Sequence, residues 1–188
     1  MIDVEARIAG AVVSSGGIIL YPTDTIWGIG CDATNGEAVQ RIYEIKQRSD
    51  SKSMLVLMAQ ISMLNQYLES VPEQALEIIR SALKPTTIIY PDARNLAPNL
   101  IAADGTIGIR ITTDEFCRQL IGLTGVPIVS TSANSSGKPA PGSFSAIDPS
   151  ILQEVDHVVG WRQHETGSPA PSAIIRLDDH GRSTVIRS

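Results

Sequence analysis

A mixed α/β sheet is the fold class this sequence predicts, and three observations predict it. Early in the chain, short apolar runs bounded by turn residues alternate with segments of helical period. Late in the chain, two strand-like runs at 172–177 and 183–187 flank Asp178-Asp179-His180-Gly181, the composition of a hairpin turn. There is no internal repeat and no linker long enough to divide the chain, so residues 1–188 are expected to form one domain around one core.

Each element has a local reason. Ile8, Ala11 and Val12 recur at helical spacing and Gly16-Gly17 follow, which predicts an amphipathic first helix with a glycine stop. Residues 18–21 read as a buried strand ended by Pro22, after which a turn or loop carrying Gly28 and Gly30 is expected. Thr34, with Glu37 three residues on, matches a capping box, and Ala38, Ile42 and Ile45 continue one face of the helix it opens. Lys46 and Arg48 fall at that helix's C-terminal end. Residues 54–58 form a short apolar run fit for a strand, and 72–83 a helix with Pro72 at its start and Ala75, Leu76 and Ile79 spaced for burial. Strands are expected at 86–90 and 107–111, a helix at 114–123, and a strand at 127–131 that runs directly into Ser132-Ala133-Asn134. Residues 135–145, rich in Ser, Gly and Pro, predict a loop, and 155–159 a further strand.

Composition narrows the function classes. With 43% hydrophobic residues the chain can bury a sizeable core, and its net charge of -5 argues against a generally basic surface that coats nucleic acid. A local basic pocket is compatible with that balance. Cys31 and Cys117 belong to no Cys-x-x-Cys pair, so reduced thiols are expected rather than a disulfide scaffold or a zinc site. Residues 1–17 lack the pattern of a signal peptide, and no apolar run reaches the length that crosses a bilayer; a soluble, cytoplasmic protein with no membrane contact is the expectation.

Three polar clusters carry the candidate chemistry: Tyr21-Pro22-Thr23-Asp24-Thr25, Lys46-Gln47-Arg48, and Ser130-Thr131-Ser132-Ala133-Asn134. Each follows an apolar or periodic run, where an α/β fold builds its ligand crevice. Hydroxyls, an amide and cations together suit a ligand bearing phosphate and carboxylate. Each cluster also has a plain structural reading. The threonines after Pro22 can form a local side-chain turn, and Lys46 and Arg48 can complement a helix dipole, although Lys52 raises the local positive density. Arg110 lies between Ile109 and Ile111, where a buried charge needs an anionic partner, either a protein carboxylate or that of a substrate. Gly28-Ile29-Gly30 is an incomplete dinucleotide fingerprint, no P-loop is present, and His157, His164 and His180 stand outside the clusters. The residues fit a template that grips and polarises anions without a covalent nucleophile.

In order, residues 21–33 (Tyr-Pro-Thr-Asp-Thr-Ile-Trp-Gly-Ile-Gly-Cys-Asp-Ala), Lys46-x-Arg48, Ser130-Thr-Ser-Ala-Asn134 with Ser136-Gly137, Pro171-Ser-Ala-Ile-Ile175 and Ile186-Arg187 resemble the YrdC-like family, the threonylcarbamoyl-AMP synthases. The likeness runs over essentially the whole chain. It implies a twisted open sheet around a large positively charged cavity, and a cytoplasmic nucleotidyltransferase that joins L-threonine, bicarbonate and ATP into threonylcarbamoyl-AMP with release of pyrophosphate. It further implies Mg²⁺ carried on the ATP phosphates, with no metal ligands from the protein. A partner transferase would pass the group to tRNA, with at most a weak tRNA contact by this chain. Carried over by motif, Lys46 and Arg48 would be catalytic and hold ATP together with Lys52, Thr106, Asn134 and Arg187. Thr25, Arg110, Ser132 and Ser172 would hold L-threonine, Arg110 by its carboxylate.

Ser49 and Ser53 depart from the prolines common after the Lys-x-Arg element, Trp27 from a frequent Tyr, and Lys84-Pro85-Thr86 from a Pro-Gly-Pro segment. The alternative reading is a nucleotide- or RNA-binding relative without synthase activity. Such relatives tend to lose the Lys-x-Arg or Asn elements, and both stand in this sequence. A third reading, carbamoyl-adenylate formation, belongs to a domain normally found beside acylphosphatase and zinc-finger modules.

Overall fold

The computed structural model describes residues 1–47, 54–166, 170–178 and 181–188. In chain order the helices are α1 (Ile2–Ser14), α2 (Gly36–Ile45), α3 (Leu64–Tyr67), α4 (Glu73–Ser81), α5 (Glu115–Thr124) and α6 (Pro149–Glu154). The strands are β1 (Ile19–Tyr21), β2 (Gly28–Gly30), β3 (Leu55–Met58), β4 (Thr86–Tyr90), β5 (Ile107–Ile111), β6 (Ile128–Ser132), β7 (His157–Val158), β8 (Ala173–Leu177) and β9 (Ser183–Arg187). They join in one mixed sheet of order β7-β1-β2-β6-β3-β5-β4-β8-β9. The pairs β1–β7, β3–β5 and β4–β8 are parallel and the rest antiparallel, including the predicted β8–β9 hairpin.

Alternation along the strands sends side chains to two faces. On one, Ile29, Val56, Ile88, Tyr90, Ile107, Ile109 and Val129 share a core with Ala38, Val39, Ile42 and Tyr43 of α2. On the other, Ile19, Tyr21, Leu57 and Ile128 pack beneath α1 and α5. Those two helices cover only part of that second face. Beyond them Gly28, Leu55, Thr87, Ile89, Gly108 and Arg110 become the floor of a cavity of about 540 Å³.

Four local expectations are corrected. Gly28 and Gly30 belong to strand β2 rather than to a loop. A Cβ on Gly30 would stand 2.3 Å from the Val129 carbonyl oxygen and 2.7 Å from Tyr21 Cε1. The glycines leave room for the Tyr21 ring to pass along β2 and donate its hydroxyl to Val129 O at 3.0 Å. In α1 the buried face is Ala6, Ala9, Gly10 and Val13, while Ile8 is exposed, because small residues let α1 lie close against α5. The cap of α2 is Asn35, which accepts from the amides of Glu37 and Ala38; Thr34 instead bonds Asp32. Pro72 is the N-cap of α4 and not its first helical residue. The short helices α3 and α6 carried too few periodic positions to be read from the sequence.

Candidate active site

The first wall is the turn after β1. Thr23 Oγ1 donates to the Ile26 carbonyl at 2.8 Å and accepts from the Thr25 amide at 3.0 Å. Its single proton is thereby used, so the 3.0 Å contact between the two hydroxyls has Thr25 as donor and leaves the Thr25 lone pairs for other partners. Both sequence readings hold at once: Thr23 makes the local turn, and Thr25 lines the cavity.

Arg110 stands on β5, with its side chain 2% exposed. Of the two partners foreseen for it, the structure shows a protein carboxylate. Asp24 approaches Nη2 at 2.9 Å, yet the angles are not those of a hydrogen bond. Arg110 Nε and Nη2 and Asp24 Oδ1 are buried polar atoms without a hydrogen-bond partner among the described residues. Arg110 also belongs to the cavity lining, and a guanidinium there can pair with a ligand carboxylate.

The third wall follows β6. Register pairs Gly28 with Ser132, which brings the turn of residues 22–27 beside the Ser132-Ala133-Asn134 segment. Lys46, the C-cap residue of α2 and 2% exposed, reaches this segment from below. Its ammonium donates to Ser132 O at 2.5 Å, Asn134 O at 2.7 Å and Asn134 Oδ1 at 3.4 Å. Asn134 Oδ1 also accepts from the Ser132 hydroxyl, and its Nδ2 donates to Lys138 O. Lys46 of the second sequence cluster and the Ser132–Asn134 segment of the third are thus one hydrogen-bonded unit.

Across the floor stand the residues of the late hairpin. Ser172 Oγ and Thr87 Oγ1 share a buried hydrogen bond of 2.8 Å, and Arg187 donates twice to Ser172 O, at 2.9 and 2.7 Å. Asp104 gathers Thr106 Oγ1 at 2.7 Å and Arg176 Nη2 at 2.5 Å. The Thr106 hydroxyl first, then Arg176, draws the Asp104 carboxyl down to about 2. Thr87, Asp104 and Arg176 are site-lining residues that the sequence reading missed. Their signal was present, since Arg176 is a charge in an apolar strand, as Arg110 is, and Asp104 precedes Thr106 by two residues.

Of the residues singled out by sequence, Thr25, Thr106, Arg110, Ser132, Ser172 and Arg187 line the same cavity. Asn134 lines a neighbouring cleft of about 500 Å³ beneath residues 138–149, and Lys46 lies behind the Ser132–Asn134 segment. Arg48 and Lys52 lie outside the described residues. The cavity lining carries Arg110, Arg176 and Arg187 against Asp104, a positive local balance within a chain of net charge -5. Among the described residues no three His, Cys, Asp or Glu side chains are grouped to hold a metal, and no helix is long and apolar enough to cross a membrane.

Comparison with known proteins gives a consistent result. The family model for Sua5/YciO/YrdC, described as "Telomere recombination", matches residues 11–188. A threonylcarbamoyl-AMP synthase of Pseudomonas paraeruginosa is 35% identical over 157 residues, 83% of this chain and 84% of that one. Another, of Xanthomonas axonopodis pv. citri, is 35% identical over 173 residues, 89% and 90% of the two chains. Among solved structures, P. abyssi Sua5 complexed with L-threonine superposes with a TM-score of 0.87 at 25% identity over 98% of this chain. The match takes in 54% of that chain, so this protein spans about half its length. E. coli YciO shares the fold at a TM-score of 0.84 and 23% identity, over 100% of this chain and 90% of that one.

Proposed function

This chain belongs to the Sua5/YciO/YrdC family, and from that premise we propose that it is a nucleotidyltransferase making threonylcarbamoyl-AMP. Its substrates are L-threonine, bicarbonate and ATP, its other product is pyrophosphate, and its product serves tRNA modification in the cytoplasm through a separate transferase. The observation that carries this reading is one cavity whose lining brings the buried guanidinium of Arg110 together with Thr25, Ser132 and Ser172, residues far apart in the chain.

The residue chemistry suits the reaction. Threonine's amine and bicarbonate combine to a carbamate with loss of water; a carbamate oxygen then attacks the α-phosphorus of ATP and pyrophosphate leaves. Arg110 holds the amino acid by its carboxylate, while Thr25, Ser132 and Ser172 offer hydroxyls to its polar groups, which fixes the amine for reaction. Hydrogen bonds to the threonine hydroxyl reject valine, which leaves them unmade. ATP is assigned to Thr106 and Arg187 of the cavity lining, and by sequence motif to Arg48 and Lys52. Lys46 braces Ser132 and Asn134 through its ammonium and adds positive charge behind them. Growing charge on the phosphoryl oxygens is met by these cations.

The lining is rich in arginine, and its carboxylate Asp104 is already engaged by Thr106 and Arg176. That donor set fits Mg²⁺ carried on ATP phosphates better than Mg²⁺ held by the protein. Bound there, Mg²⁺ supplies charge neutralisation of the phosphates.

Pyrophosphate release from ATP is expected only when threonine and bicarbonate are both present; equal release without threonine would refute the reading. Arg110→Ala should raise the threonine KM more than the ATP KM, and Arg48→Ala the reverse. Identical effects on the two substrates would overturn this division of labour.

A further inference from the structure

Asp24 has no role in the reaction as described, although it sits in the same turn as Thr25. It contributes a carboxylate whose side chain is 11% exposed, and its Oδ1 stands 2.9 Å from Arg110 Nη2. Oδ2 is met at 3.4 Å by the Thr112 hydroxyl, which in turn accepts from the Asp114 amide at 3.2 Å. Asp114 caps α5 through the Cys117 amide at 2.9 Å and pairs at 2.8 Å with Arg162, whose Nη1 also donates to the Thr23 carbonyl at 3.2 Å. The turn is therefore held from behind by α5 and by the 162 segment, and Asp24 is the member of that frame that touches Arg110.

We propose that Asp24 is a positioning residue for the amino-acid grip. It orients the Arg110 guanidinium and compensates its charge while the cavity is empty, so that Arg110 meets a carboxylate in one geometry. This inference rests on the reading of Arg110 as the threonine carboxylate ligand. Three features support it. The pair is buried, so the charge of Arg110 needs a fixed counterion in the ligand-free protein. Its geometry is an ion pair without a hydrogen bond, so Arg110 donors stay unspent. Asp24 is not among the cavity-lining residues, so its action is through Arg110 and not on the ligand.

The test is equilibrium binding of L-threonine, with ATP binding as the control. Asp24→Asn keeps the side-chain volume and removes the charge; it should weaken threonine at least tenfold and leave ATP binding within twofold. In an Arg110→Ala background the same substitution should change threonine binding by less than twofold, because there is no guanidinium left to orient. A second variant, Asp24→Glu, keeps the charge but moves it by one methylene, and about a threefold loss of threonine affinity is expected; it also serves if Asp24→Asn does not fold. Wild-type threonine binding in Asp24→Asn or Asp24→Glu, or an equal loss with and without Arg110, would overturn the positioning role alone. A wild-type protein that does not bind threonine would overturn the functional reading, and this inference with it.

Discussion

Individual side chains divide the cavity into two sides that respond to different chemistry. On the far side, Asp104 is the pivot: the Thr106 hydroxyl and the Arg176 guanidinium both stabilise its charged form, and the Thr106 amide adds a hydrogen bond at 3.2 Å. A carboxyl whose folded pKa is depressed contributes stability above its unfolded value of about 3.9 and loses it as pH falls toward about 2. Both partners are half exposed, so the stability involved is small. The local titration is the better readout. An NMR titration of the Asp104 carboxyl should give a midpoint near 2 in the wild type and a higher one, nearer the ordinary value, in Thr106→Val. An unchanged midpoint would mean that the hydroxyl does not hold the carboxylate.

At the level of elements, two glycines test two kinds of packing. Gly10 faces α5 from the interior of α1, and a Cβ there would lie 3.7 Å from Leu123 Cβ and from Thr124 Cγ2, ordinary contact distances. Gly10→Ala should therefore stabilise the protein by about 0.5–1 kcal/mol through helix propensity, visible as a higher denaturation midpoint. Gly30→Ala should do the opposite. Its Cβ would meet the backbone oxygen of Val129 on β6 and the Tyr21 ring, neither of which can withdraw without breaking the Tyr21 hydrogen bond or the β2–β6 pairing. A loss of at least about 1–3 kcal/mol is expected in denaturant titration, with the cavity disturbed as well, since β2 carries Gly28 in the floor. The helix periodicity of α1 gave no hint of this contrast, because hydrophobic spacing singled out Ile8 while the chain buries its smallest residues.

For the molecule as a whole, function follows from incomplete coverage of a sheet. One face is sealed by a continuous core; the other is sealed only where α1 and α5 lie, and the remainder is floor for ligands. The same partition protects the thiols. Cys31 and Cys117 are buried, one in each core, and burial pushes both thiols well up from their ordinary range. Neither should react with iodoacetamide in the native protein near neutral pH, and both should react in denaturant, as counted by intact mass. Native labelling of Cys117 would mean that α5 opens away from the sheet.

Much of the element order, the late hairpin and the sequence of motifs were legible in the chain because they rest on local period, turn chemistry and short-range spacing; β2, α3 and α6 were not. The legible features sufficed to name the strand bearing Arg110, to place Ser132 and Ser172 at the ends of two others, and to point to a family. Other decisions needed the tertiary structure. That Asp24 meets Arg110, that Lys46 ends on the carbonyls of Ser132 and Asn134, and that Thr87, Asp104 and Arg176 complete the far wall are all contacts between residues distant in the chain. A period of two tells which residues share a face of a strand, but not which face a helix will cover. Here α1 and α5 stop short of Arg110 and its neighbours, and that placement set a buried charge of an apolar strand in the lining of a cavity.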